Sequence, residues 1–464
     1  MSASAAFGDG RTFVRPSAKR AAIAAASVCL VAYLAFAVWL VAHPAALPSD
    51  DALFFSRALL HFDVLDFSPQ FPGYPGFVAM GKLLLGLTGN PVRALFAMTV
   101  TLALALPAIA AWLAWRVTRG IPCALAAFAL TLAMPLLPDL ALSMLSDGAG
   151  IVFLLLALAV LPRHERVGGF EPGFWLAGAA LAWAACCRPS DAALIAGAAI
   201  GIAWSMPRCI RAVLAGGAAV VLPVLTIVLA LEGPLYLWAG LHFVQGHATG
   251  WGHTVFSSAP GVNWAEAILA APAGLPIALI CLAGFGFGLF RLRNLPPATV
   301  ALTASFAAHA LWIALMQNPD HLRHLAPLAV EGGLLVVLAS PRRLAAPLLS
   351  GLLLVFDLYA FASTVEPRPG PPPLMAAALA VEMSGQHAIA LNDGVALMRD
   401  RLPAVRVYDM QAPYEARLGV AAAGGGIRIS TTRLDDAPIA VYPGRVLGEL
   451  PAYLYRFPTP SAAP

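Results

Sequence analysis

Charge is what this chain has least of. Only 11% of its 464 residues are Asp, Glu, Lys or Arg, against 60% hydrophobic, and the mean hydropathy is +0.79. Water-soluble domains carry about a quarter charged residues, so a soluble globular protein is excluded. Cysteine is scarce as well. All six (Cys29, Cys123, Cys186, Cys187, Cys209 and Cys281) fall in or beside apolar runs, and none lies in the long polar loops or the tail. That placement gives neither a disulfide framework nor zinc spacing, and the vicinal Cys186-Cys187 reads as small packing residues. There is no internal repeat, and no glycine-rich phosphate loop of the Walker or Rossmann kind.

Long apolar runs fill the space those absences leave. A helix needs roughly 20 apolar residues to cross the hydrocarbon core of a bilayer. Such stretches are expected at about 21–42, 93–115, 121–137, 148–162, 173–187, 191–206, 211–231, 264–290, 297–316, 323–340 and 343–362. The expected fold is therefore an all-α polytopic membrane protein with about 11 transmembrane helices. An odd count places the termini on opposite sides. The first run follows Arg11, Arg15, Lys19 and Arg20 like the head of a signal peptide, but at about 22 residues it exceeds a signal core and reads as a retained anchor.

The few charges are sorted by sign. Arg116/Arg119, Arg163/Arg166, Arg208/Arg211, Arg291/Arg293 and Arg342/Arg343 recur after every second apolar run, which assigns those turns to the cytoplasm. The alternate turns hold Asp50, Asp51, Asp63, Asp66, Asp139, Asp147, Asp191 and Asp320. The formal net charge of +4 thus reports topology and gives no argument for nucleic acid.

Residues 1–20 are expected to be a cytoplasmic N-terminal segment and 21–362 the transmembrane domain. Within it, the outer segment 43–92 is far longer than its neighbouring turns, and such length in a compact domain signals function. Asp51 to Leu65 spaces its apolar residues as an amphipathic helix on the membrane surface. The proline-rich stretch Pro69 to Gly76 then breaks the chain before a short helix over Phe77–Leu87. A second outer loop, about 232–263, carries Trp238, His242, His247, Trp251 and His253. Residues 363–374 form a Pro-rich linker, and 375–464 read as a small α/β domain on the extracytoplasmic side. Its strands are expected at His387–Leu391, Val405–Tyr408, Ile427–Ser430, Ile439–Tyr442 and Tyr453–Phe457, with a helix at about 394–402.

Ser49-Asp50-Asp51 has two readings, a helix N-cap and a general base. Adjacent helical residues point about 100° apart, so only one of the two acids can face a reaction centre. Asp50-Asp51-Ala52-Leu53-Phe54 resembles the Asp-Glu-Ala-x-Tyr stretch opening the first outer loop of the GT-C glycosyltransferases, the superfamily of protein O-mannosyltransferases and aminoarabinose transferases. Pro72-Gly73-Tyr74-Pro75 is similar to its Pro-Pro-Leu-Tyr turn, and Ser146-Asp147 to its acid in the second outer loop. Arg188-Pro189 resembles its Arg/Lys-Pro, and Arg323-His324-Leu325-x-Pro327 its Arg-Tyr-x-x-Pro. The likeness covers about residues 20–362. Two departures stand out. Asp51 occupies the position of the usual Glu, and Gln70-Phe71 fills the stretch where the aminoarabinose branch carries a Lys.

The resemblance implies an integral membrane glycosyltransferase that moves a hexosyl or pentosyl group, with inversion, from a polyprenyl-phosphate donor to a lipid, glycan or protein acceptor on the extracytoplasmic face. Carried over, Asp50 is the base, with Asp51 its rival and Asp147 orienting or sharing the task. Arg323 meets the donor phosphate, helped by His321, His324 and Arg188. A guanidinium suits that role because it offers two parallel donors to phosphate oxygens as the leaving group gains charge. Tyr74, Gln70, His242 and His247 are candidate substrate-loop residues. Arg188 and Asp191 equally fit a structural ion pair, and Glu331 and Asp357 fall within or near the ends of spans. No cofactor is assigned. A divalent metal is compatible with the chemistry, but the spacing of His242, His247 and His253 predicts no site for one. The expected location is a bacterial inner membrane, N-terminus cytoplasmic and C-terminal domain periplasmic. The alternatives are a lipid-linked sugar flippase or other transporter, and a docking protein recruiting partners through its tail. Transporters commonly place polar residues near the midplane in repeated halves; here the acids crowd at one surface.

Overall fold

The computed structural model describes residues 16–163, 171–251, 254–257, 263–319, 321–341 and 345–457. Arg11, Arg15, Arg166, His253, Asp320, Arg342 and Arg343 lie outside the described residues, as does most of the expected 1–20 segment. Helices dominate. They are α1 (Pro16–Val41), α2 (Asp50–Leu60), α3 (Pro75–Thr88), α4 (Pro91–Thr118), α5 (Ile121–Ala133), α6 (Leu137–Leu142), α7 (Asp147–Val160), α8 (Pro172–Cys187) and α9 (Ala192–Ser205). There follow α10 (Ile210–Glu232), α11 (Leu235–Gly246), α12 (Trp264–Ala270), α13 (Gly274–Phe290), α14 (Pro297–Met316), α15 (Ala326–Ala339) and α16 (Ala345–Thr364).

Every apolar stretch expected to span holds a helix, yet the helices differ in reach. Among the described residues six are long and apolar enough to cross a membrane, or seven if α12 and α13, bent by 118°, count as one span. The shortfall against about 11 lies in α5, α7, α8 and α9, which run only 13, 14, 16 and 14 residues. At 1.5 Å per residue such helices fall short of a hydrocarbon core about 30 Å thick. The reason is local: α7 begins at Asp147, α8 stops before Arg188-Pro189, and α9 starts beyond Asp191, so three short helices end at one polar cluster.

Small residues let the helices approach closely, as is usual where lipid removes the hydrophobic drive between them. A methyl at Gly178 of α8 would collide with the Val213 carbonyl of α10, and one at Gly201 of α9 with Ala301 of α14. Charge is segregated along the bundle. Arg116 donates to the Leu161 carbonyl, Arg163 to the Arg116 carbonyl and Arg291 to the Ala339 carbonyl, so cationic turns gather at one end. Val117, Arg163, Ser205, Met206, Asn294 and Pro296 line a common cavity there of about 650 Å³. Asp51, Asp147 and Asp191 meet at other turns of the bundle, joined through guanidinium groups.

The chain ends in α17 (Pro373–Met383), β1 (Ala388–Leu391), α18 (Val395–Arg401), β2 (Arg406–Asp409), α19 (Pro413–Ala422), β3 (Gly426–Ser430), β4 (Ala440–Tyr442) and β5 (Ala452–Phe457). The strands match their expected positions to within a residue or two. They form one sheet in the order β2-β1-β3-β5-β4. β1 lies parallel to β2 and β3, and β5 runs antiparallel to β3 and β4. Leu374, Ala377 and Val381 of α17 pack with Ile389 and Leu391, while Ala416 and Val420 of α19 pack with Ala388 and Ala390. The alternation along β1 sends successive side chains to opposite faces.

The surface helix is differently placed from expectation. Its apolar residues Leu53, Phe55, Ala58 and Leu59 are buried in the main core with Phe77, Ala94 and Leu95. Protein, not lipid, covers that face. An amphipathic pattern specifies an apolar side and leaves open what packs on it.

Candidate active site

Ser49 opens α2, its Oγ accepting from the Ala52 amide at 3.3 Å. The cap places Asp50 and Asp51 in the first turn, where carboxylates complement the helix dipole. From there the pair divides. Both oxygens of Asp50 accept backbone N–H groups of α18, from Leu397 at 2.7 Å and Ala396 at 3.3 Å. Burial pushes the Asp50 carboxyl up from its ordinary value, and those two amides oppose the rise. Asp51 turns to the bundle, with Oδ2 lying 3.5 Å from Nη2 of Arg323. Both Asp50 oxygens are thus taken up by amides of α18, while Asp51 is the one of the pair that meets Arg323.

Arg188 forms the centre of the buried polar group. Its Nη2 lies 2.8 Å from Oδ1 of Asp147 and its Nε 3.1 Å from Oδ1 of Asp191. Nη1 donates to Ser146 Oγ at 3.2 Å, and Nη2 is 3.5 Å from His324 Nδ1. The side chains of Arg188 and Asp147 are only 10% and 3% exposed. Burial pushes Asp191 up to about 7, against the lowering influence of Arg188. The two flanking carboxylates hold Arg188 charged despite its own burial, which works in the opposite direction.

Arg323 is held more loosely. Its Nε lies 4.0 Å from Asp147 Oδ1, and its side chain is 21% exposed. A guanidinium carries five donors, so Arg323 retains several for another anion. It sits on the 3₁₀ turn Leu322–Leu325 that leads into α15. His321 precedes that turn and His324 lies on it, with their rings 6.0 Å apart. Asp147, Arg188, Asp191, His309, Arg323 and His324 line a cavity of about 10 Å³, room for about one water. On the other side of the turn, Leu322 and Leu325 border an apolar cavity of about 230 Å³ shared with Leu136, Ile277, Phe306 and Leu447.

Tyr74 joins this group electrostatically. It occupies the left-handed region at φ 47° just before α3, and its ring meets Phe55 edge-on at 5.1 Å. Burial pushes its hydroxyl up to about 12, with Arg188 and Arg323 opposing and Asp51 and Asp147 adding. Gln70 lies in the same loop, its Oε1 buried without a partner among the described residues. Phe71 beside it packs on Tyr236 and Phe243 at 5.3 and 5.4 Å, tying that loop to α11. His242 on α11 bonds back to the Trp238 carbonyl at 2.9 Å, and His247 stacks on Phe243. No hydrogen bond or ion pair joins either histidine to the carboxylates among the described residues. No group of three or more His, Cys, Asp and Glu positioned for a metal occurs among the described residues.

Two acids were not singled out from sequence as site residues. Asp139 of α6 is 4% exposed, and its Oδ2 has no hydrogen-bond partner among the described residues. Burial pushes it up to about 7, with Arg323 opposing. Asp393, in the turn before α18, lies within electrostatic reach of Asp51 and Arg323. Asp139 was visible in the charge pattern; Asp393 carried no signal, because only the docking of a distant unit brings it here.

This assembly, an apolar helical bundle with a recessed acid and arginine cluster, resembles in fold two solved structures of transferases. The chain is similar to ArnT from Cupriavidus metallidurans in its crystal structure bound to undecaprenyl phosphate, with a TM-score of 0.51 at 11% identity, covering 94% of this chain and 98% of that one. It is similar also to the archaeal oligosaccharyltransferase AglB from Archaeoglobus fulgidus, in complex with an inhibitory peptide and a dolichol-phosphate. There the TM-score is 0.51 at 12% identity, covering 88% of this chain and 69% of that one. No protein-family model matches the chain, and no curated sequence matches it. At such identities the likeness is one of fold.

Proposed function

We propose that the protein is an integral membrane glycosyltransferase that transfers a sugar from a polyprenyl-phosphate donor to a hydroxyl acceptor at the extracytoplasmic face, with inversion and with Asp51 as general base. The observation that carries this reading is Arg323, a partly exposed guanidinium 3.5 Å from Asp51 on a turn that borders an apolar cavity. The neighbours of similar fold are described bound to undecaprenyl phosphate and in complex with a dolichol-phosphate, and an anionic head on an apolar chain suits a guanidinium beside an apolar cavity. Here Arg323 takes the phosphate while Leu322 and Leu325 lead the first prenyl units into the cavity.

Asp51 is chosen over Asp50 because its carboxylate is 41% exposed and loosely paired, whereas both oxygens of Asp50 are occupied. The acceptor hydroxyl gives its proton to Asp51 as its oxygen bonds to the anomeric carbon. The bond from that carbon to the phosphate oxygen breaks, and the electron pair leaves on polyprenyl phosphate, where Arg323 stabilises it. Inversion demands that acceptor and phosphate lie on opposite faces of the sugar. Donor entry therefore separates Asp51 from Arg323, and the donor phosphate replaces the carboxylate as partner of the partly exposed guanidinium. Asp147, Arg188 and Asp191 form the scaffold that holds the Arg323 turn. His324 braces Arg188, and His321 and Tyr74 border the sugar. His242, His247 and Gln70 belong to the outer-loop wall.

Mass spectrometry of envelope lipids after deletion of the protein tests the reading. Accumulation of a polyprenyl-phosphate sugar together with loss of one decoration is the expected result. An unchanged lipid pool and unchanged glycans would remove the proposal.

A further inference from the structure

The sugar-transfer chemistry engages the membrane bundle alone, yet the C-terminal unit is fastened to the same helix that carries the base. Gly394 stands at the N-cap of α18 and offers no side chain, so the first amides of that helix lack an intrinsic cap. Asp50 supplies it from more than 340 residues away, accepting from Ala396 at 3.3 Å and Leu397 at 2.7 Å. Seven residues along α2, Arg57 reaches Asp400 at 3.1 Å near the other end of α18. The two helices thus lie side by side with a bond at each end, and Leu397 is buried within the main core between them.

This clasp presents the turn Asn392-Asp393-Gly394 to the reaction centre. Gly394 adopts φ 76°, and Asn392 Oδ1 accepts from the Thr431 amide at 3.4 Å, bracing the turn against the end of β3. The turn follows β1, which lies between β2 and β3, so the chain winds off in opposite directions at this point. Open α/β sheets bind ligands at the carboxyl ends of strands where the order reverses in this way. Here that edge faces the membrane bundle. Asp393 is half-buried on it, and the charges of both Asp51 and Arg323 act on its carboxyl.

We propose that Asp393 is an acceptor-binding residue which the C-terminal unit contributes to the reaction centre, and that Asp50 is the positioning residue that holds it there. The proposal rests on the sugar-transfer reading and names its acceptor class. Asp51 takes the proton of the reacting hydroxyl, while Asp393 accepts a hydrogen bond from a neighbouring hydroxyl of the same molecule. Two carboxylates within electrostatic reach of each other therefore select an acceptor with neighbouring hydroxyls, a glycan or a polyol headgroup, over the single hydroxyl of a serine or threonine side chain.

The test uses the full chain in lipid nanodiscs with a polyprenyl-phosphate sugar as donor. The acceptor probes are a methyl glycoside with neighbouring free hydroxyls, its monodeoxy counterpart and a serine-containing peptide. Asp393→Asn is expected to raise the glycoside KM about tenfold, the cost of weakening a hydrogen bond to a charged group, while donor KM and kcat stay within about twofold. The deoxy glycoside should erase the difference between wild type and variant. Asp50→Ala should reproduce the KM rise, and Asp50→Asn, which keeps a capping oxygen, should largely restore the wild-type value. Hydrogen exchange of the amides of 395–401 gives a readout independent of turnover, and Asp50→Ala should accelerate it. An unchanged glycoside KM in Asp393→Asn overturns the acceptor role, and transfer to the peptide in preference to the glycoside overturns the acceptor class. Unchanged exchange in Asp50→Ala overturns the clasp. A wild-type protein that transfers to no probe, yet shows the exchange effect, removes the sugar-transfer reading and Asp393 with it while the clasp stands.

Discussion

Two arginines in this molecule meet carboxylates a few ångströms apart and live under opposite conditions. Arg188 is buried and fixed by Asp147 at 2.8 Å, Asp191 at 3.1 Å and Ser146 at 3.2 Å. Arg323 shares Asp147 with it at 4.0 Å, reaches Asp51 at 3.5 Å and remains partly exposed. Burial makes the first pair expensive to break, since removing one partner strands a charge in a poorly solvating place. Exposure makes the second pair easy to exchange for a substrate anion. On the proposed reading, tight ionic geometry in this cluster marks scaffold, and slack geometry marks the transfer chemistry.

The comparison can be broken in several places. The largest effect belongs to Asp51→Asn, which should lower sugar transfer by about 10²–10⁴, the contribution of a general base, with expression and thermal stability unchanged. A folded Asp51→Asn protein with full activity would dissolve the distinction. Arg188→Met should cost about 3–5 kcal/mol of stability by leaving Asp147 and Asp191 without their common partner, read as a marked drop in melting temperature in detergent. Arg323→Lys should weaken donor binding about 10-fold, because an ammonium cannot bind phosphate as a planar fork, while the melting temperature holds.

Asp139 sharpens the comparison through pH. Its carboxyl is raised from 3.8 to about 7 by burial, so the folded state favours the protonated acid. That contribution is complete below about pH 4 and is lost as pH rises through about 7. Asp139→Asn, which cannot ionise, should therefore melt higher than wild type at pH 8, with the gap closing toward pH 4; a constant gap across the range would refute the assignment. The smallest effect is expected from Arg57→Ala. Its pair with Asp400 is about half exposed on both sides, so the loss should be no more than about 1 kcal/mol.

Much of this architecture was readable from the chain. Apolar runs marked a helix in each expected span, and short runs between turn residues marked all five strands, because both signals are local; α6 and α11, the latter inside the expected loop 232–263, were missed. The cationic turns announced one end of the bundle for the same reason. Helix length was less readable. Composition alone did not reveal that α7, α8 and α9 stop short where Asp147, Arg188 and Asp191 converge. The division between Asp50 and Asp51 was hidden too. Helical geometry showed that the two point apart, but which one faces the cluster depends on α18 docking from the far end of the chain. The fate of α2 was concealed likewise, since its apolar face suits a bilayer and a protein partner equally.

The account turns on the different tasks of two adjacent acids, and the most direct measurement is release of polyprenyl phosphate from a polyprenyl-phosphate sugar by matched membranes carrying wild type, Asp50→Asn or Asp51→Asn. Release that disappears with Asp51→Asn and persists with Asp50→Asn is the predicted result. Release that persists with Asp51→Asn and disappears with Asp50→Asn would contradict it.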